Sequence, residues 1–330
     1  TWSLVIWICG IQVISGSLTL GEMTQSLIYL GILQRPVRMI GMMINAYARA
    51  TSCGLRLFEI LDKEPNIRNI NNPKSINKIK TIEAKNIVFK FDHNSEKTIL
   101  NKISFKANSN QILGIIGPPG SGKSSLAQLI PRFYDIESGS LTINDIDIRS
   151  IDISELRREI GLISQNTFLF NMSIKDNISY GMPNSEMANI IECSKIAKIH
   201  DFIESLPEKY ETIVGEFGVS LSGGQKQRLS IARTLLKKPS IVIFDDSLSA
   251  LDSITDKKIR EHLEESISSQ ITIIISHRID SLEHANEIIV LDKGEISQRG
   301  TPQQLLKEEG IYKTISEIQH PKYEKEISLT

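Results

Sequence analysis

Apolar positions fall into three regimes along the chain. From Trp2 to Ile14 they are nearly continuous. From Met23 to about Tyr47 they form a longer stretch interrupted by Gln34, Arg35, Pro36 and Arg38, with a polar, glycine-containing break over Ser15–Thr24 before it. From Ile82 onward they gather in short runs between polar turns, the pattern of an α/β domain. Ile112–Ile116, Ile241–Phe244 and Ile271–Ile275 are continuous and rich in isoleucine, as expected of parallel strands buried on both faces, and Gly161–Gln165 reads as another strand. Longer spacings over Ser125–Ile130, Met187–Ala197, Asp201–Pro207 and Leu229–Leu236 predict helices, the first ended by Pro131.

The first regime is too short to span a bilayer; the second is long enough. Two arginines inside it do not suit a lipid-facing helix but suit one lining a water-filled cavity. A signal peptide would need a basic start and a cleavage site, which are missing here. A buried soluble hairpin stays open, because the second stretch is weakly hydrophobic. Arg49 and Arg56 put the cationic excess at the end expected to face the cytoplasm. Residues 61–80 are polar and read as a linker, and residues 311–330 as a polar, solvated tail with some helix. A chain that begins at Thr1 and opens part-way through an apolar stretch reads as a fragment.

The chemistry concentrates in two motifs. Gly117-Pro118-Pro119-Gly120-Ser121-Gly122-Lys123-Ser124 fits the phosphate-loop pattern and sits between a predicted strand and a predicted helix. Glycines let the backbone wrap phosphates, Lys123 reaches the β- and γ-phosphates, and the Ser124 hydroxyl is a Mg²⁺ ligand. About a hundred residues later, Leu221-Ser222-Gly223-Gly224-Gln225 opens a helix whose free N–H groups and dipole favour phosphate. The strand Ile241–Phe244 then delivers Asp245 and Asp246, followed by Ser249-Ala250-Leu251-Asp252.

Together the phosphate loop, the Leu221–Gln225 signature and the Asp245 strand resemble the nucleotide-binding domain of an ATP-binding cassette (ABC) protein from about Ile82 to Leu306. The resemblance implies an α/β P-loop NTPase with a helical subdomain over 81–310, preceded over 1–60 by the last helices of an exporter-type half-transporter. It implies ATP and Mg²⁺ as ligands. Gly117 to Ser125 would cradle the phosphates, with Phe91 stacking on adenine where the family usually has tyrosine. Ser124, Gln165 and Asp245 would face the metal, and His277 the γ-phosphate. Ser222, Gly223, Gly224 and Gln225 would cap the ATP of a second nucleotide-binding domain. Thr212–Glu216 resembles the segment that meets the partner's intracellular loops, with Phe217 where arginine is usual. The implied partners are a second half-transporter, membrane lipid and a transported substrate. The implied location is a bacterial inner or plasma membrane, with the nucleotide-binding domain in the cytoplasm.

One position departs from the family. The residue after Asp245 is normally a glutamate acting as general base, and here it is Asp246. Its carboxylate is one methylene shorter, while base action needs heavy-atom contact near about 3 Å. Intact signature with weakened base resembles the degenerate subunit of heterodimeric multidrug-type exporters. Competing expectations are a soluble cassette ATPase, which leaves the apolar N-terminal stretches unexplained, and a regulatory nucleotide-binding module. A net charge of −1 gives no general basic field for nucleic acid. Cys9, Cys53 and Cys193 lie too far apart in sequence to suggest a metal knuckle and read as reduced thiols.

Overall fold

The computed structural model describes residues 2–92, 97–215, 221–247, 259 and 270–319. The chain divides into two compact units, Thr1–Asn66 and Ile67–Thr330. The first is a helical pair, α1 (Trp2–Ile14) and α2 (Leu20–Leu61). Trp2 joins them: its indole Nε1 donates to Gln34 Oε1 at 3.1 Å, and its ring edge lies 3.5 Å from the position a Cβ on Gly31 would take. Helix α2 starts before Met23, because Thr19 and Glu22 form a capping box. Glu22 N–H donates to Thr19 Oγ1, and Thr19 N–H to Glu22 Oε2. Glu22, the one charged side chain of residues 1–34, is therefore a helix cap. The helix continues through Pro36 to Leu61 as the one described helix long and apolar enough to cross a membrane. Large apolar side chains such as Ile28, Ile32, Leu33 and Val37 stand exposed along it.

In the second unit, Ile67–Lys80 has almost no regular structure yet is bound in place. Asn69 caps the helix α4 (Ile153–Glu159), accepting from Ile153 N–H, while Glu155 takes Ser75 Oγ at 2.7 Å and Ile76 N–H at 3.0 Å. Ile76 and Ile79 are buried. The polar composition of this stretch hid two anchoring isoleucines.

Two sheets form the framework. Strands β1 (Thr81–Phe89), β2 (Leu100–Asn108), β4 (Ser138–Ile143) and β5 (Ile146–Asp147) make an antiparallel sheet in the order β2-β1-β4-β5. Strands β3 (Gln111–Ile116), β6 (Ile160–Ile163), β7 (Ile241–Asp245), β8 (Ile271–Ile275), β9 (Glu287–Asp292) and β10 (Glu295–Gly300) make the larger sheet, in the order β10-β9-β3-β8-β7-β6. All its pairings are parallel except the edge pair β9–β10. Alternate residues of its central strands serve two cores, as a strand period of two requires. Leu113, Ile115, Ile241, Ile243, Ile273 and Ile275 face the antiparallel sheet and α3 (Lys123–Leu129). Ile116, Val242, Phe244, Ile274, Ile288 and Val290 face the other way, onto helices. Those helices are α5 (Ile174–Ser179), α6 (Met187–Ile196), α7 (His200–Glu204), α8 (Gly223–Leu236), α9 (Pro302–Lys307) and α10 (Ile311–Gln319).

Helix α10 corrects the expected solvated tail over its first nine residues. Tyr312 is 0% exposed, with Ile311 and Ile315 against the same core. Its apolar residues recur at i, i+1 and i+4 among charges, so overall polarity masked an amphipathic face.

Candidate functional site

Strand β3 ends at Ile116, and the chain turns at Gly117, where a Cβ would lie 2.0 Å from the Leu291 carbonyl oxygen. Gly120 and Gly122 hold left-handed φ of 76° and 100°, and a Cβ on Gly122 would meet Leu100 Cδ2 at 2.6 Å. Only glycine satisfies the first and third positions, whereas Gly120 faces open space. The loop delivers Lys123 at the first turn of α3. Lys123 is 6% exposed, and its ammonium donates to Gly117 O at 2.9 Å, Pro118 O at 2.8 Å and Ser121 Oγ at 3.3 Å. Burial holds its pKa below the usual lysine value, against the opposing pull of Asp246 and Asp245.

Ser124 Oγ donates to Asp245 Oδ1 at 3.0 Å, joining the phosphate-loop helix to the end of β7. Asp245 is 7% exposed, and burial raises its pKa; Ser124, Lys123 and His277 counter this, whereas Asp246 adds to it. Asp246 follows with φ of 48°, its N–H donating to Ile275 O at 2.9 Å. Gln165, two residues past the end of β6, donates Nε2 to Asp246 Oδ2 at 3.2 Å. Thus five polar residues from β6, β7 and the phosphate loop meet at the C-terminal ends of parallel strands. This is where open α/β sheets place ligands. His277 follows β8 at the same end with its side chain exposed.

Residues 100–249 match the family model described as ABC transporter. That stretch includes the phosphate loop and the Asp245 strand, and the second unit has the ABC nucleotide-binding fold. It is 40% identical over 314 residues to an uncharacterized ABC transporter ATP-binding protein of Bacillus subtilis, covering 94% of this chain and 53% of that protein. An ATP-dependent lipid A-core flippase of Syntrophus aciditrophicus is 37% identical over 96% of this chain and 52% of its own length. Among solved structures, a bacterial Atm1-family ABC exporter with ATP bound superposes with a TM-score of 0.78 at 34% identity. That match covers 92% of this chain and 53% of the exporter chain. The chain therefore spans about half the length of the relatives it matches.

The Leu221–Gln225 segment opens α8. Ser222 Oγ accepts from Gln225 N–H at 3.3 Å, and Gln225 Oε1 accepts from Ser222 N–H at 2.8 Å, a capping box that leaves the Gly223 and Gly224 amides at the helix start outside it. Among the described residues, nothing outside the helix's own adjacent backbone lies within 4 Å of a Cβ placed on Gly223. Phe91, 55% exposed, is held edge-on by Phe89 and Tyr134, with ring centroids 5.0 and 5.2 Å away. The Ser249–Asp252 stretch, Glu216 and Phe217 lie outside the described residues.

The donor set suits a magnesium nucleotide. A buried ammonium beside glycine-shaped backbone offers positive charge to phosphate, and a hydroxyl–carboxylate pair, Ser124 with Asp245, offers the hard oxygen ligands Mg²⁺ prefers. Sequence reasoning missed a hub between the signature helix and the segment after Gln165. Arg233 on α8 donates to Phe168 O, Asn177 O and Asn177 Oδ1. Asn177, 1% exposed, also accepts from Phe170 N–H and donates to the carbonyls of Phe170, Met172 and Ser173. Nothing in the sequence hinted at it, since Asn177 stands beside Lys175 and Asp176 in a helix of mixed polarity.

Proposed function

We propose that this chain is part of an ABC half-transporter that binds and hydrolyses ATP to export a small or amphipathic substrate, with a weakened general base in its own site. The meeting of Lys123, Ser124, Asp245, Asp246 and Gln165 at one end of the parallel sheet carries this reading. Gly117 to Ser125 hold the phosphates by backbone N–H groups, Lys123 neutralises the β- and γ-oxygens, and Phe91 stacks on adenine. Ser124, Gln165 and Asp245 hold Mg²⁺, which when bound offsets charge on the transferring phosphoryl oxygens. Asp246 orients water and accepts its proton, Gln165 aligns both, and His277 contacts the γ-phosphate. Ser222 to Gln225 cap the ATP bound by a second half-transporter.

The exposed apolar side chains of α2 support a membrane location in contact with lipid, with Arg35 and Arg38 lining a water-filled cavity and the nucleotide-binding residues in the cytoplasm. Residues 1–60 serve as the end of a membrane domain, 61–80 as its connection and 81–310 as the ATPase. The names of two relatives, flippase and exporter, support outward transport. A near-zero net charge gives no reason to invoke nucleic acid.

The test is ATPase activity of the full-length protein alone and with a partner that has glutamate at the base position. The reading expects slow turnover alone and fast turnover paired. Fast turnover by a homodimer, unchanged by Asp246→Asn, would overturn the weakened-base assignment.

A further inference from the structure

The turn carrying His277 is held at both ends. On the strand side, Ser276 N–H donates to Ile115 O at 3.1 Å and Arg278 N–H to Ser276 Oγ at 2.9 Å. On the far side, one side chain takes two backbone groups of the turn. Gln319 Nε2 donates to His277 O at 2.6 Å, and Gln319 Oε1 accepts from Ile279 N–H at 2.9 Å. A primary amide supplies a donor and an acceptor side by side, which this pair of backbone groups requires. Forty residues separate Gln319 from Ile279, so the contact comes from tertiary placement and not from local turn chemistry.

That placement belongs to α10, in which Gln319 is the last described residue. Tyr312 is fully buried on the core that also holds Ile279 and Leu282. At the other end of the helix, Tyr312 N–H donates to Gln298 Oε1 at 3.1 Å. A Cβ on Gly310 would strike the same Gln298 amide at 2.3 Å, so glycine permits the close approach. The helix is fixed at its start by Gln298 and presents Gln319 to the His277 turn.

We propose that Gln319 is a positioning residue for His277, making the C-terminal helix part of the apparatus that distinguishes ATP from ADP. The inference rests on the reading of His277 as the γ-phosphate contact. With both backbone groups clamped, the imidazole leaves the strand end in one direction. Without the clamp, the turn has to be ordered by nucleotide at a cost in affinity. Because ADP lacks the group His277 touches, the loss falls on ATP alone.

The experiment measures ATP and ADP binding to the full-length transporter, with the partner's phosphate-loop lysine substituted so that this chain's site is read. Gln319→Ala is expected to weaken ATP about three- to tenfold, the worth of one or two net hydrogen bonds, and to leave ADP within about twofold. Gln319→Glu keeps the acceptor for Ile279 N–H but cannot donate to His277 O, so it should show the same ATP-specific loss with the helix retained. In a His277→Ala background, Gln319→Ala should add nothing. Equal weakening of ATP and ADP, unchanged ATP binding, or a full additional loss on top of His277→Ala would each overturn the proposal. An unchanged ATP-to-ADP ratio in His277→Ala alone would instead remove the γ-phosphate reading, and the Gln319 role with it.

Discussion

Asp246 occupies a left-handed backbone position, φ 48°, directly after a fully buried strand. Aspartate and asparagine tolerate that region better than longer or branched residues do. Asp246→Asn should therefore fold normally and, paired with a glutamate-bearing partner, leave ATPase within about twofold, since the partner supplies the competent base. Asp246→Glu restores reach. With the partner's own base removed, it should raise turnover at this site by up to about 10²-fold, measured as steady-state phosphate release. No gain would show that backbone geometry, not side-chain length, limits this base. Gly223 gives a second residue-level forecast. Open space surrounds its missing Cβ, so Gly223→Asp should melt within about 2 °C of the parent. ATPase of the pair should nonetheless fall by about 10²-fold or more, because a carboxylate is placed where phosphate is to be capped.

At the scale of elements, the strands were the most legible part. Isoleucine runs such as Ile271–Ile275 match β8 residue for residue, because strands buried on both faces leave no polar interruptions to blur their ends. The phosphate loop was equally plain, since Gly117 and Gly122 answer to steric limits that no other residue meets. Less legible were features made by tertiary contact between distant polar residues: the Arg233–Asn177 hub, the anchoring of Ile67–Lys80, and Gln319 on the His277 turn. Each includes a polar contact between residues tens of positions apart, and no periodicity announces it. The hub makes a strong prediction. Asn177→Ala strips partners from several buried backbone groups and from Arg233, and should cost about 2–4 kcal/mol in denaturant unfolding of the second unit. Asn177→Asp should cost at least as much, because Asp loses the donors to three carbonyls.

For the molecule as a whole, two units of unlike surface share one chain. The helical pair exposes long apolar side chains, whereas the second unit buries its own around two faces of one sheet. Cys193 lies within the helical side of that core, and burial pushes its thiol up to about 11. At neutral pH it should resist iodoacetamide in the native protein and react only after unfolding, as mass spectrometry of labelled peptides would show. The shared sheet also has a genetic consequence. Because neighbouring residues of β7 belong to opposite cores, losing the Ile241 codon would send Val242, Ile243 and Phe244 each to the wrong side. In a deletion scan, in-frame losses within β7 should be uniformly inactivating, while even generous substitutions among Ile, Val and Leu at the same codons survive.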